Sequence, residues 1–176
     1  MITSKRSQGL IDWAITFATT AHTGQVRKYT GEPYITHPLA VAELVASVTE
    51  DAEAITAAIL HDTVEDTGVT LEEIARAGFG WQIARLVEQL TDVSKPEDGN
   101  RAARKAIDLA HTAKASPKAQ TVKLADLIHN TESIVARDPS FAVVYMKEKQ
   151  RLLAVLGQGD RTLYAKAVNL VKDYYA

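Results

Sequence analysis

The stretch Ile59-Leu60-His61-Asp62-Thr63-Val64-Glu65-Asp66 places one imidazole and three carboxylates within two helical turns, with no Lys or Arg among them. The Ala- and Ile-rich run Asp51 to Val64 reads as a helix ending near Thr67-Gly68. Helical spacing sets His61 beside Glu65, and Asp62 beside both Glu65 and Asp66. Carboxylates at a helix C-terminus oppose the macrodipole by about 0.3–1 kcal/mol each, and like charges at i,i+4 cost a few tenths more. A bound divalent cation relieves that repulsion, and so does a solvated acidic helix end. Both readings stand at this point.

Other groups with chemical capacity lie farther along the chain. Of five histidines, His61 is already in the acidic cluster, and His37 opens a helix where its ring nitrogen could reach a metal. His22 suits the C-terminal dipole of the first helix, His111 reads as a surface residue, and His129, after Leu127-Ile128, reads as structural. On a helix through Val122 to Asn130, residues Leu124, Leu127, Ile128, Thr131, Ile134 and Val135 share one arc. Lys123, Asp126, Asn130 and Ser133 share the next, so Asp126 and Asn130 face one object; a solvated face accounts for the spacing equally simply. Two histidines with two aspartates form a mixed N/O donor set that suits Mn²⁺, Fe²⁺ or Zn²⁺ better than Ca²⁺ or Mg²⁺. A cation of that kind makes water a usable nucleophile near neutral pH. Glu65 and Asp66 stand one turn on, placed to steer the water or move its proton. Arg27 and Lys28, between Gly24 and Gly31, offer cations to an anionic substrate. The parts together suggest metal-assisted hydrolysis of a phosphate ester.

These groups need helices to position them. Amphipathic periodicity predicts helices over Ser4–Thr23, Leu39–Val48, the acidic segment, Leu71–Ala77 and Trp81–Thr91, then over 101–115, 118–137, 141–156 and 161–175. Thr70 with Glu73 spells a capping box, Ser116-Pro117 a cap with a first-turn proline, and Asp160 a further cap. Asp92 to Asn100, rich in charge with Pro and Gly, reads as the most mobile loop. No strand pattern or repeat appears, so the expected fold is all-α, seven to nine helices around one core.

Composition narrows the function further. At 176 residues the chain fits one domain, residues 1–176, large enough for a real core. A net charge of -2 argues against nucleic acid or an anionic membrane as main partner. The absence of cysteine removes disulfides, thiolate–zinc sites and cysteine nucleophiles together. Met1 to Arg6 lacks a signal-peptide core and no segment reaches membrane-spanning length, so a cytoplasmic location is expected. Phe141, Val144, Leu152, Leu163 and Val168 could serve a core or a subunit contact in a homo-oligomer.

Three segments resemble a known family. They are His22-Thr23-Gly24-Gln25-Val26-Arg27-Lys28 with Pro33-Tyr34-Ile35-Thr36-His37-Pro38, then Leu60 to Thr67, then Val122 to Asp126 with Asn130. In order and spacing they look like the hydrolase domain of the RelA/SpoT group within the HD-domain metal phosphohydrolases, of the small stand-alone alarmone hydrolase type. The resemblance implies a manganese ion, or another divalent transition metal, held by His37, His61, Asp62 and Asp126. It implies water activation by Glu65 and Asp66, and substrate contacts from Arg27, Lys28, Lys123, Asn130 and Tyr145. The implied reaction removes the 3′-pyrophosphate of guanosine tetra- or pentaphosphate, giving GDP or GTP. Leu127-Ile128 stands where Arg-Leu is usual and Thr131-Glu132-Ser133 where Met-Arg-Thr is usual, so substrate contacts along that helix differ. The alternatives are an HD phosphohydrolase for another nucleotide such as NADPH, and a non-catalytic nucleotide-binding module.

Overall fold

The computed structural model describes residues 5–176. Among them, eight helices of nine residues or more make the domain: α1 (Lys5–Ala21), α2 (Thr36–Ala46), α3 (Ala52–Leu60), α6 (Gly80–Leu90), α7 (Arg101–Thr112), α8 (Pro117–Arg137), α9 (Pro139–Leu153) and α10 (Arg161–Tyr175). Two single-turn helices, α4 (Thr63–Asp66) and α5 (Leu71–Ile74), lie between α3 and α6. The one β-type pairing among the described residues is an isolated bridge, Val26 with Pro33. The all-α expectation holds. The expected start of α1 at Ser4 lies outside the described residues.

Local chemistry sets most helix starts. Asp51 accepts from the amides of Glu53 and Ala54, Ser116 from Ala119, and Asp160 from Thr162 and Leu163, satisfying amides that have no partner inside the helix. Thr70 and Glu73 form the reciprocal capping box. The helix after it ends earlier than its periodicity predicts, giving way to a π-type turn over Ala75–Phe79. Gly78 there adopts φ +100°, a left-handed value closed to most L-residues. The Trp13 indole donates to Ala77 O, and Phe79 stacks on Trp13, so aromatic packing holds the turn against α1.

The core runs through α3 and α8, which meet α1, α2, α6, α9 and α10 around them. Ile59, Leu60, Leu124, Leu127, Ile128 and Met146 are among its largest apolar members and are fully buried. At about 1.5–3 kcal/mol each, these side chains are a main source of stability. Leu152 and Leu163 are buried and Phe141 and Val168 pack on the core, whereas Val144 is exposed. Most of the apolar residues of α9 and α10 therefore serve the fold itself. No helix among the described residues is long and apolar enough to cross a membrane.

Two segments depart from their expected form. The acidic helix stops at Leu60 and resumes at Thr63, instead of running unbroken from Asp51 to Val64. The His61 imidazole Nδ1 bonds to Ala58 O at 2.7 Å, and Thr63 Oγ1 donates to Leu60 O at 2.7 Å, so side chains occupy carbonyls that backbone amides would otherwise use. The start of the loop Asp92 to Asn100 is tied down, while its later residues are exposed: the Asp108 carboxylate accepts from the amides of Val93 and Ser94 and from the Ser94 hydroxyl.

Candidate metal centre

The break at His61-Asp62 turns both side chains toward α2 and α8. His37 Nε2, on α2, lies 3.4 Å from Asp62 Oδ2 and 3.2 Å from Asp126 Oδ1. His61 Nε2 lies 3.1 Å from Asp62 Oδ1 and 3.8 Å from Asp126 Oδ1. Ligand atoms of His37, His61 and Asp126 all fall within 4.8 Å of one another. Asp62 is not one of those three; it lies at their rim with a different oxygen near each histidine. His37 and His61 are almost wholly buried, and the two aspartates are mostly covered.

The electrostatics of this nest call for a positive centre. Burial would lower the His61 imidazole pKa, yet Asp62 and Asp126 lift it well above the ordinary value. Burial would raise both aspartates, but the histidines hold Asp62 at about 2 and Asp126 well below its usual range. His61 Nε2, aimed into the cluster, makes no hydrogen bond. The ligand atoms of His37, His61 and Asp126, gathered in one place with the Asp62 carboxylate beside them, form a mixed N/O set that could hold a divalent transition metal.

Both histidines are held from behind, as orientation of a ligand requires. The Ala58 carbonyl holds His61 Nδ1. His37 Nδ1 lies 2.7 Å from His129 Nδ1. With His37 Nε2 facing the carboxylates as a ligand, its Nδ1 carries the proton and donates. Burial, then the charges of His37 and Arg27, push His129 down to about 4, keeping it the neutral acceptor. His129 thus stands behind a candidate ligand and is not among the ligand atoms, in keeping with a structural rather than ligating reading, and its partner lies too far off in sequence for spacing to reveal it. His22 departs from expectation: it is buried and stacks on Tyr34 at 4.8 Å.

Glu65 and Asp66, the pair expected to steer water, lie beside this nest. Glu65 accepts from the Asp92 amide at 3.1 Å, and burial followed by the Asp92 charge pushes its carboxyl up to about 7. The Tyr34 hydroxyl lies 2.8 Å from both Asp62 Oδ2 and Asp66 Oδ2. A phenol has one proton, so one of these contacts requires a protonated carboxyl. Asp66, raised by burial and by the Asp62 charge, is the partner suited to carry it. Tyr34 lies in the Pro33 to Pro38 segment that carries the resemblance, but its contact with the two aspartates was not legible there.

The expected substrate groups divide. Arg27 Nη2 donates to Asn130 Oδ1 at 3.0 Å, and Asn130 Nδ2 donates to Asp126 Oδ1 at 2.6 Å, a chain from the loop to the nest. Lys123 Nζ lies 3.9 Å from Asp126 Oδ2, its ammonium form favoured by Asp126, Asp92 and Glu65 against the cost of burial. It supplies the cation that the acidic segment lacks locally. Lys28 turns outward to Tyr29 and Asp138. Tyr145 is buried, 3.3 Å from the Thr131 hydroxyl.

An all-helical fold carrying a His/Asp cluster able to hold a metal ion narrows the chain to a family of that architecture. Residues 14–160 match the HD domain model, and the chain belongs to that family. Along 86% of its length it is 35% identical to a probable GTP pyrophosphokinase of Mycobacterium leprae, of which it spans only 19%. It is 41% identical over 125 residues to the guanosine-3′,5′-bis(diphosphate) 3′-pyrophosphohydrolase MESH1 of Homo sapiens, covering 69% of this chain and 67% of that protein. A solved structure described as a metazoan ortholog of SpoT that hydrolyzes ppGpp superposes with a TM-score of 0.82 at 25% identity, covering 93% of this chain and 94% of that one.

Proposed function

We propose that this domain hydrolyses the 3′-pyrophosphate of guanosine tetra- and pentaphosphate, releasing pyrophosphate and GDP or GTP. The observation that carries the reading is the cluster of His37, His61 and Asp126, with Asp62 near both histidines, beside Glu65 and Asp66. The similarity to proteins named for this activity supports it. His37, His61, Asp62 and Asp126 would hold a divalent ion, manganese in our reading, which would supply charge neutralisation at phosphate and a more acidic water.

The rest falls to the chain's own groups. Arg27 and Lys123 set positive charge on either side of the nest, favouring an approaching polyphosphate. Glu65, poised near pH 7, takes a proton from the attacking water. The water oxygen bonds to the phosphorus attached to O3′, the P–O3′ bond breaks, and O3′ receives a proton from the Asp66 carboxyl. Tyr34 fixes Asp62 and Asp66 in register, tying the ligand set to the proton carrier. His129 keeps the His37 ring turned so that Nε2 faces Asp62 and Asp126. Purified protein loaded with Mn²⁺ is expected to release pyrophosphate from ppGpp. Absence of release with metal shown to be bound rejects the reading, and a panel including NADPH separates it from other nucleotide substrates.

A further inference from the structure

Between α7, α8 and α9 lies a cavity of about 380 Å³ whose wall carries six Lys or Arg and three carboxylates. All three carboxylates are engaged. Asp92 pairs with Lys105 at 2.6 Å, Glu148 takes a two-point contact from Arg101, and Asp108 is occupied by loop amides and a hydroxyl. Lys149 is not answered. It makes no hydrogen bond and no ion pair among the described residues; its ammonium sits 4.7 Å from the centre of the Tyr145 ring. Burial, with Lys123 and Lys105 nearby, pushes its pKa down to about 8 against the pull of Asp126 and Asp92.

The cavity is joined to the reaction site by two of its own wall residues. Lys123 stands at Asp126, and the Asp92 amide holds Glu65. A half-buried ammonium among other cations, with no counter-ion and an open space before it, is completed by an anion. A substrate held by one phosphate group at the nest and bearing another at a distance can bring that anion with it.

We infer that the cavity is a phosphate-accepting subsite in which Lys149, backed by Lys105 and Lys123, receives the substrate's second, uncleaved anionic arm, its 5′-diphosphate. This rests on the hydrolysis reading above and deepens it: the domain selects nucleotides phosphorylated at two separated positions. Lys149 is the specificity-determining residue and takes no part in the bond-breaking step.

The test compares Lys149→Met and Lys149→Arg with the unaltered protein, all Mn²⁺-loaded, on ppGpp and on guanosine 3′-diphosphate with a free 5′-hydroxyl. Lys149→Met is expected to raise KM for ppGpp about tenfold or more, the worth of one charge-assisted contact, with kcat little changed. The 5′-hydroxyl substrate should be unaffected, and Lys149→Arg should retain most of the ppGpp preference. An equal effect of Lys149→Met on both substrates, or none on either, overturns the assignment. Calorimetric titration with inorganic pyrophosphate gives a readout free of turnover. If the unaltered protein cleaves neither nucleotide, the hydrolysis reading falls, and this titration still decides the cavity. Binding about tenfold weaker in Lys149→Met supports an anion site there, and equal binding overturns it.

Discussion

The nest between α2, α3 and α8 and the cavity between α7, α8 and α9 share a wall but are built on opposite principles. In the nest each histidine is anchored through its second ring nitrogen, and the Asp62 and Asp126 carboxylates lie 3.1 to 3.8 Å from the other. In the cavity the carboxylates are already spent on other partners and a cation is left over. The first geometry is set before any ligand arrives and serves orientation. The second is electrostatically incomplete and serves selection. α8 links them, carrying Asp126, His129 and Asn130 toward the nest and Lys123 to the border.

The comparison breaks most completely where a ligand is removed. Asp62→Ala or Asp126→Ala should lower divalent-metal affinity at least 100-fold and abolish pyrophosphate release, while far-UV circular dichroism stays helical. The helical core does not include these carboxylates, and their removal also relieves local repulsion. A variant that unfolds without any change in metal binding, followed by titration, would contradict the assignment.

The proton-moving pair comes next. Glu65→Gln and Asp66→Asn should each cost about 10²–10⁴-fold in kcat with metal content unchanged. Because the Glu65 carboxyl is raised to about 7, it is protonated and inactive as a base below that pH. In the unaltered enzyme kcat/KM should therefore rise as pH increases through about 7, and Glu65→Gln should remove that limb. A pH profile identical in both proteins assigns the base elsewhere.

How much of this could be read from the chain depends on how local each cause is. Caps at Asp51, Thr70, Ser116 and Asp160 are decided within three residues, so they are legible in sequence. The membership of Arg27 and Asn130 in one arrangement follows from their motifs. The interruption at His61-Asp62 was hidden, because it comes from side chains taking the carbonyls of Ala58 and Leu60 in residues that otherwise suit a helix. The order in Asp92 to Ser94 comes from Asp108, a turn or more into the next helix, so composition alone suggested mobility. Lys28 shares a motif with Arg27 but pairs with Asp138, far off in the sequence. Lys149 carries no motif; only the surrounding cations single it out.

His129 sharpens the nest side of the comparison. If its role is to hold His37 by accepting from Nδ1, His129→Phe should weaken metal binding about 10–100-fold, the usual range for loss of a supporting hydrogen bond. His129→Asn, whose carbonyl oxygen can stand near the lost Nδ1, should restore much of the affinity without restoring ring packing. Competition against a fluorescent chelator measures both. Equal losses in the two variants would make His129 a packing residue only.

The smallest expected effect tests the cavity through stability. Folding moves the Lys149 ammonium from water, where its pKa is 10.5, to a site where it is about 8. The charged form is therefore disfavoured in the fold. That penalty is fully present below about pH 8 and fades as pH rises from there toward 10.5, where the unfolded chain also gives up the proton. Lys149→Met keeps most of the unbranched side chain without the charge, so it should raise the thermal midpoint at pH 7 by on the order of 2–4 °C. The gain should shrink at pH 9.5. Greater stability together with weaker ppGpp binding is the signature of a group kept for its ligand, as the nest's well-anchored histidines are not. A Lys149→Met protein less stable at pH 7 than at pH 9.5, relative to the unaltered chain, would show that the ammonium is already satisfied within the fold.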